Sequence, residues 1–554
     1  MNDGALNKLR SHFDFWSVVK WITFLFFIVF LLYPVSSLII SSFQGEGGGF
    51  SLENFKTFFT KVYYYRSLFN SLEVSLTVTI ISVAIGVPLA YIVSRYDIKF
   101  KRLINMLIIM SLMSPPFIGA YSWIILLGRN GVITNAFKSI GITLPTIYGF
   151  GGLILVFTLK LFPYVFIYVS GAFSSIDRSL EEAAENLGSR KIRRVFTVTL
   201  PVVLPTICAG AIMVFMTSLA DFGTPMLLGE GYTTLPVQVY QEYMSEIGGN
   251  THMAGALSVI IIICSTTVLL VQKYLVSRKN YTMSSLRPPI IEKLSRGKRG
   301  VLTAICLIVS IIAFLPQIVV VITSFIKTNG PVFVQQFSLQ SYEDIFYKLG
   351  EDISNTFIFA IIAIVFIVVF GMLISYLVVK KKSKSNGLLD ILVMFPYVIP
   401  GCVLGISLVQ SFNNAPLILA GTATIMIISY VIRKMPYTVR SSSAILFQID
   451  SSIEEASINL GVSPLKTFFK ITARIMAPGI LSGAILSWIS VVNELSSSII
   501  LYSGKTATIS VAIYTEVVRS SYGTAAALAS ILTVATIISL IIFNRVSKGK
   551  VSVV

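Results

Sequence analysis

Residues 355–379 read NTFIFAIIAIVFIVVFGMLISYLVV, a run without a single aspartate, glutamate, lysine or arginine. A helix rises about 1.5 Å per residue, so about 20 apolar residues cross the ~30 Å hydrocarbon layer of a bilayer. This run is long enough to span it. The same window, moved outward in both directions, finds spans near 18–42, 69–94, 103–127, 148–172, 201–220 and 253–275, and then near 301–325, 388–411, 416–439, 475–492 and 524–544. Twelve spans are expected in all. The composition agrees: of 554 residues 55% are hydrophobic and 12% charged, where soluble domains carry about 25% charged residues. A disordered protein, a disulfide scaffold and a set of soluble domains are excluded. The fold class is all-α, a polytopic membrane protein of about twelve transmembrane helices in two parallel six-helix repeats.

The net charge of +18 points away from nucleic acid once its placement is considered, because the basic residues fall in short clusters between apolar runs. With the amino terminus inside, thirty-two of the 43 lysines and arginines lie in cytoplasmic segments and nine in external ones. Both termini are therefore expected in the cytoplasm of a multi-pass cell-membrane protein. Lys8, Arg10 and Lys20 precede the first span as in a signal peptide, but the apolar stretch is too long and no A-x-A site follows, so retention is expected. Cys208, Cys264, Cys306 and Cys402 all lie in apolar stretches without a CxxC pair, and His12 and His252 are too few for a histidine metal site. No HExxH, EF-hand loop or GxSxG occurs, and Ser503-Gly504-Lys505-Thr506 lacks the glycine a phosphate loop needs at Ile499. No catalytic or metal site is expected.

The chain also repeats itself. At an offset of 273, Asp177 meets Asp450, Glu182-Ala183 meets Glu455-Ala456, Asn186-Leu187-Gly188 meets Asn459-Leu460-Gly461, and Pro205 meets Pro478. Nearer the start of each half the offset is 285, with Asn70 on Asn355, Gly86 on Gly371 and Tyr91 on Tyr376. The difference of 12 is a deletion in an external loop, 128–147 in the first half. Spans run in the same order in both halves, so the repeats are parallel. Residues 276–300 read as a basic cytoplasmic linker between them.

The best-matched segments run from Asp177 to Pro205 and from Asp450 to Pro478. Each opens on an aspartate suited to capping a helix. Leu180, Ala183 and Leu187 share one face of the helix that follows, as do Ile453, Ala456 and Leu460. Gly188 and Gly461 stop it. A second helix restarts behind each glycine, with Ile192, Val195 and Phe196 or Leu465, Phe468 and Phe469 on its apolar face. A bent helix pair resting on lipid accounts for these faces but not for the acidic tips, which anionic headgroups repel. A docking element for a cytoplasmic protein accounts for both, and two copies imply a paired partner.

Glu182, Ala183, Ala184, Gly188, Val198, Leu200 and Pro201 resemble the signature of permease subunits of type I binding-protein-dependent ABC importers, with one Ile-to-Val change. Glu455, Ala456, Gly461 and Ile471 match it again, while Ser457 replaces the second alanine and Ala473-Arg474 replaces Leu-Pro. The resemblance implies permease domains at 68–275 and 354–545, preceded by 1–67 and by 301–353, each a leading helix with its external loop, and followed by a tail at 546–554. It implies that the two loops are coupling helices, carried by Glu182, Ala183, Ala184, Gly188, Glu455, Ala456, Ser457 and Gly461, that dock on two copies of a cytoplasmic ABC ATPase. An external solute-binding protein would deliver the cargo. No Walker motif is present, so ATP and Mg²⁺ would be bound by the partner ATPases, and this chain would be a transport subunit and not an enzyme.

Two ionisable pairs follow the repeat. Asp221 aligns with Glu494 at the expected outer end of the fifth span of each half, and both are candidates for the substrate path. Lys160 aligns with Arg433, and both are expected to reach toward the cytoplasmic interface. The fused layout, with Asp221-Phe222-Gly223-Thr224-Pro225, resembles the ferric-iron permeases, and carboxylates suit a hard cation. Thiamine, phosphonate or polyamine permeases are the alternatives within the family. A secondary transporter driven by an ion gradient is the alternative class. It would need charges deep in the bilayer, where only Lys160 is expected.

Overall fold

The computed structural model describes residues 15–45, 47–112, 114, 116–245, 249–277, 291–330, 332–381 and 383–546. Most of the basic linker, the tail beyond 546, and His12 with the basic residues ahead of it lie outside the described residues. In chain order the main helices are α1 (Phe15–Ser42), α2 (Val62–Arg95), α3 (Lys101–Leu112), α4 (Pro116–Leu127), α5 (Phe150–Ser174), α6 (Arg178–Asn186), α7 (Lys191–Ala220), α8 (Thr251–Ser277), α9 (Arg296–Thr323), α10 (Gly350–Val379), α11 (Lys384–Met394), α12 (Gly401–Phe412), α13 (Ala423–Gln448), α14 (Ser452–Asn459), α15 (Pro464–Val492) and α16 (Tyr522–Val546). A two-stranded antiparallel hairpin, Ile326–Asn329 with Val332–Phe337, follows α9.

Among the described residues nine helices are long and apolar enough to cross a membrane, or up to eleven if each bent pair counts as one span. The expected count was twelve, and the difference has two sources. The spans foreseen at 103–127 and 388–411 are each broken, the second by a bend of 106° ahead of Gly401. Helix α13 is long enough but carries Arg433, Lys434 and Arg440, and it continues to Gln448 instead of ending near 439.

Two compact units emerge, one formed by Leu52–Ser341 and the other by the described residues up to Ser51 together with those from Tyr342 onward. In the first unit α2 and α7 close on α5. Gly86 and Gly210 both abut Val165, where an added Cβ would come within 2.9 Å and 3.1 Å of it. In the other unit α10 and α15 close on α13, with Gly371 and Gly483 both against Thr438 at 2.9 Å and 2.5 Å. These positions correspond by the repeat offsets. Hydrophobic burial does not drive association between helices in lipid, so small residues that let backbones approach are what hold such a trio.

The leading helices follow a different logic. Helix α9 packs in the Leu52–Ser341 unit: Ser122 donates to the Pro316 carbonyl at 2.9 Å and the Lys99 amide donates to Thr303 at 3.2 Å. Helix α1 packs in the other unit, where Trp16 stacks on Tyr376 at 4.4 Å and Phe30 meets Phe412 at 5.5 Å. Each leading helix thus belongs to the unit built on the repeat that does not follow it directly in the chain.

Candidate functional site

The two bent pairs are built alike. Asp177 accepts a hydrogen bond from the Ser179 amide at 2.8 Å, and Asp450 from the Ser452 amide at 2.9 Å, so each aspartate satisfies an amide that the first turn leaves open. The Ser452 amide also holds the exposed Asp450 carboxyl below the usual carboxylate range. Helix α6 ends with the amides of Gly188 and Ser189 on the carbonyls of Glu185 and Ala184, at 2.8 and 3.0 Å. Helix α14 ends with Gly461 and Val462 on Ile458 and Ser457, at 2.9 and 3.2 Å. This is the Schellman closure. It places Gly188 at φ +78° and Gly461 at +84°, in open space, so left-handed backbone and not crowding demands glycine.

Behind the glycine each chain climbs into α7 or α15 through a π-helical turn, Val195–Thr199 in one copy and Phe468–Thr472 in the other. The turns coincide at the offset of 273. Pro201 follows the first, but Ala473-Arg474 follows the second, so proline does not cause the turn. The departure from Leu-Pro in the second copy therefore leaves the exit geometry unchanged.

The motif residues divide by exposure. Gly188, Ala183, Glu455, Ala456 and Gly461 are exposed, Glu182 and Ala184 are half-buried, and Ser457 is buried. Ser457 shares a hydrogen bond with Thr467 at 2.9 Å across the bend. In the first copy the corresponding strap is an ion pair, Arg194 to Glu185 at 2.6 Å. Serine in place of alanine thus goes with threonine in place of Arg194. The apolar faces remain largely uncovered: Leu187 is 88% and Leu460 84% exposed, while Phe468 is buried against Trp16 and Tyr376.

Sequence reasoning passed over Glu181 and Glu454. Glu181 takes two hydrogen bonds from Arg95, at 2.8 and 3.2 Å, and one from Thr199 at 3.0 Å. Glu454 takes one from Tyr376 at 3.2 Å and one from Thr472 at 2.7 Å. The offset of 273 relates both glutamates and both threonines and could have identified them.

The second constellation lies within the helices. Lys160, ten residues into α5, donates to Asp221 at 3.0 Å. Asp221 in turn caps the short helix Gly223–Leu228 by accepting from the Thr224 amide at 2.9 Å. The Gly149 amide, just ahead of α5, reaches the Leu228 carbonyl at 2.6 Å, so this short helix runs beside the first turns of α5. In the other unit Arg433 pairs with Glu494, Lys434 meets the same carboxylate at 2.5 Å, and the Ser497 amide donates to it at 3.1 Å. Gly401 makes room, since an added Cβ would lie 2.5 Å from Arg433 Nη1.

Two expectations are corrected here. Lys160 and Arg433 do not reach for an interface; they close buried ion pairs in mid-helix. Asp221 and Glu494 end α7 and α15, but at the depth of those cations, with 8% and 5% of their surface exposed. The expectation that Lys160 alone stands away from helix ends fails at Arg433 and Lys434, both in the middle of α13. Among the described residues no group of three or more histidines, cysteines, aspartates or glutamates gathers in a way that could hold a metal ion.

The family described as "Binding-protein-dependent transport system inner membrane component" matches this chain at residues 82–281 and again at 367–551. The chain belongs to that family. It is an ABC importer permease, a transport subunit and not an enzyme. The permease is 28% identical to the ferric transport system permease protein FbpB of Actinobacillus pleuropneumoniae over 93% of this chain and 76% of that one. It is 28% identical to the putative ferric transport system permease protein FbpB 1 of Haemophilus influenzae over 86% and 76%. The spermidine/putrescine permease protein PotB of Haemophilus influenzae matches at 28% identity but over only 39% of this chain and 78% of that one. A chain of a bacterial ABC transporter involved in import of the acidic polysaccharide alginate aligns with TM-score 0.41 and 18% identity, over 50% of this permease and 99% of that chain. Both family matches contain a bent pair, 177–205 in the first and 450–478 in the second.

Proposed function

We propose that this permease carries ferric iron across the cell membrane, with both termini in the cytoplasm, an external binding protein delivering the cargo and two copies of a cytoplasmic ABC ATPase driving it. The ATPases bind ATP and Mg²⁺. The single observation that carries the reading is the duplicated bent pair, with the same glycine closure and the same π turn at positions 273 apart. Two equal exposed tips suit a two-fold ATPase dimer. Glu182 and Glu455 offer charge to it, Ala183, Ala184 and Ala456 are the small residues beside them, Ser457 braces the second bend from within through Thr467, and Gly188 and Gly461 set the bend.

Ferric iron is favoured over polyamine because the relatives that align with most of this chain are ferric permeases, whereas the polyamine relative aligns with 39% of it. Thiamine and phosphonate remain the other cargoes tested below. A gradient-driven carrier is disfavoured by the family match, which covers both repeats. For Asp221 and Glu494 the reading is specific: a cargo cation meets these carboxylates only by displacing Lys160, Arg433 and Lys434.

The test is uptake of radiolabelled ferric iron by proteoliposomes holding the permease, its ATPase and its binding protein. ATP-dependent uptake is expected, with none from the chain alone. Glu182→Ala with Glu455→Ala should assemble and lose uptake; full uptake in that variant overturns the coupling role. Asp221→Asn with Glu494→Gln should assemble and take up less iron; unchanged uptake removes both from the path. ATP-driven uptake of thiamine, phosphonate or polyamine in place of iron overturns the cargo.

A further inference from the structure

Glu181 and Glu454 do not belong to the exposed tips. Each points back into its own unit and ties three elements together at the base of the bent pair. In the Leu52–Ser341 unit the Glu181 carboxylate bridges Arg95 at the end of α2 and Thr199 at the last residue of the π turn. Arg95 has only 6% of its side chain exposed and Thr199 is buried. In the other unit Glu454 bridges Tyr376, near the end of α10, and Thr472, again the last residue of the π turn. Tyr376 stacks on Trp16 and meets Phe468 edge-on at 4.7 Å, so the acid is joined to the leading helix as well. The residue corresponding to Arg95 is Lys380, and it pins the same loop by donating to the Ile449 carbonyl at 2.7 Å.

A π turn is an α-helix with one residue squeezed in, and such turns persist where surrounding contacts hold them. The two glutamates hold these turns through the threonine hydroxyls, and they hold α6 and α14 at the same time. A push on either tip therefore reaches the span behind it and the span before it through one carboxylate. We propose that Glu181 and Glu454 are the positioning residues that transmit movement of the two docking helices into the membrane helices, the first through a charged link and the second through a hydroxyl and aromatic link. This rests on the coupling role proposed above for the bent pairs.

The difference in chemistry makes the test specific. Glutamine at 454 can keep both contacts, its Oε1 accepting from one hydroxyl and its Nε2 donating to the other, so Glu454→Gln should behave as wild type. Glutamine at 181 loses the ion pair with Arg95, so Glu181→Gln should be impaired, and exchanging the charges by Glu181→Arg with Arg95→Glu should restore part of the loss. In proteoliposomes with the ATPase and binding protein, Glu181→Ala with Glu454→Ala should keep ATPase binding and ATP hydrolysis. Cargo moved per ATP should fall about tenfold, within the range by which residues between coupled sites alter that coupling. Thr199→Val with Thr472→Val should act in the same direction.

Hydrogen exchange on the full-length chain supplies a readout that needs no partner. The double alanine variant should exchange faster over 178–199 and 452–472 and remain unchanged in α5 and α13. Wild-type cargo per ATP in the double alanine variant, or unaltered exchange over those segments, overturns the proposal. So does parallel loss of ATPase binding and uptake, which would mark a merely structural role. Absence of ATP-driven uptake in the wild type would instead overturn the importer reading and leave the exchange measurement to decide this one.

Discussion

Lys160 and Asp221 stand 61 positions apart in the chain and 3.0 Å apart in space, and the same spacing separates Arg433 from Glu494 in the second repeat. Each acid also accepts the amide three residues further on, Asp221 that of Thr224 and Glu494 that of Ser497. Taking such charges from water is costly, and the pair recovers the cost only while both partners are present.

Lys160→Met leaves the buried Asp221 carboxylate without its cation. The expected loss is about 3–5 kcal/mol of stability, read as a lowered unfolding temperature in detergent. Adding Asp221→Asn removes the orphaned charge and should recover most of that loss. Equal melting of the single and double variants would show that the pair is not what holds this region.

Lys434 has no counterpart in the first repeat, where Leu161 stands at the corresponding position. Glu494 is already matched by Arg433, so the second cation adds desolvation without a second acid. Lys434→Leu should melt at or above the wild-type temperature. Arg433→Leu should melt lower, because it removes the guanidinium that fills the space beside Gly401. Thermal unfolding of the two variants side by side decides this.

At Gly188 and Gly461 the cost of a side chain is backbone strain alone, since nothing lies within 4 Å of an added Cβ. Gly188→Ala or Gly461→Ala should each cost about 1–2 kcal/mol locally, read as faster amide exchange over α6 or α14. Asparagine should be tolerated better than valine at both sites, because its short polar side chain suits left-handed backbone. Equal exchange in the asparagine and valine variants would remove φ as the cause.

Asp450 should make α14 sensitive to acid. Its carboxyl is depressed in the folded chain by the Ser452 amide, against an unfolded value of about 3.9. The cap's contribution is therefore fully present above the unfolded value and is lost as pH falls through the lower folded value. Amide protection over 452–459, corrected for intrinsic rates, should drop below about pH 4. In Asp450→Asn that dependence should flatten. A wild-type profile as flat as the variant's would refute the cap.

What could be read in the sequence was local or repeated. An aspartate, an apolar face and a glycine stop specify each bent pair within a dozen residues, and comparison of the two copies located them without a structure. Hydropathy finds length but not direction, so the bends ahead of Pro116 and Gly401 passed as straight spans. Partners 61 positions apart are invisible to a window of twenty residues, and the general tendency of long basic side chains to reach an interface points Lys160 and Arg433 the wrong way. The clue lies in the repeat: acid aligns with acid and base with base at one offset, and a shared spacing is what a shared contact leaves in a duplicated chain. The π turns leave no comparable trace, because Pro201 marks one copy and nothing marks the other.

The pairing of α9 with Leu52–Ser341, and of α1 with the chain beyond Tyr342, decides what a scissors cut would yield. A gene divided at the linker would give two products, each lacking a helix its own fold needs and bearing one that fits only the other. Made separately they should be short-lived, and made together they should rescue each other by trading ends. The duplication has left two halves that can be counted apart but not matured apart.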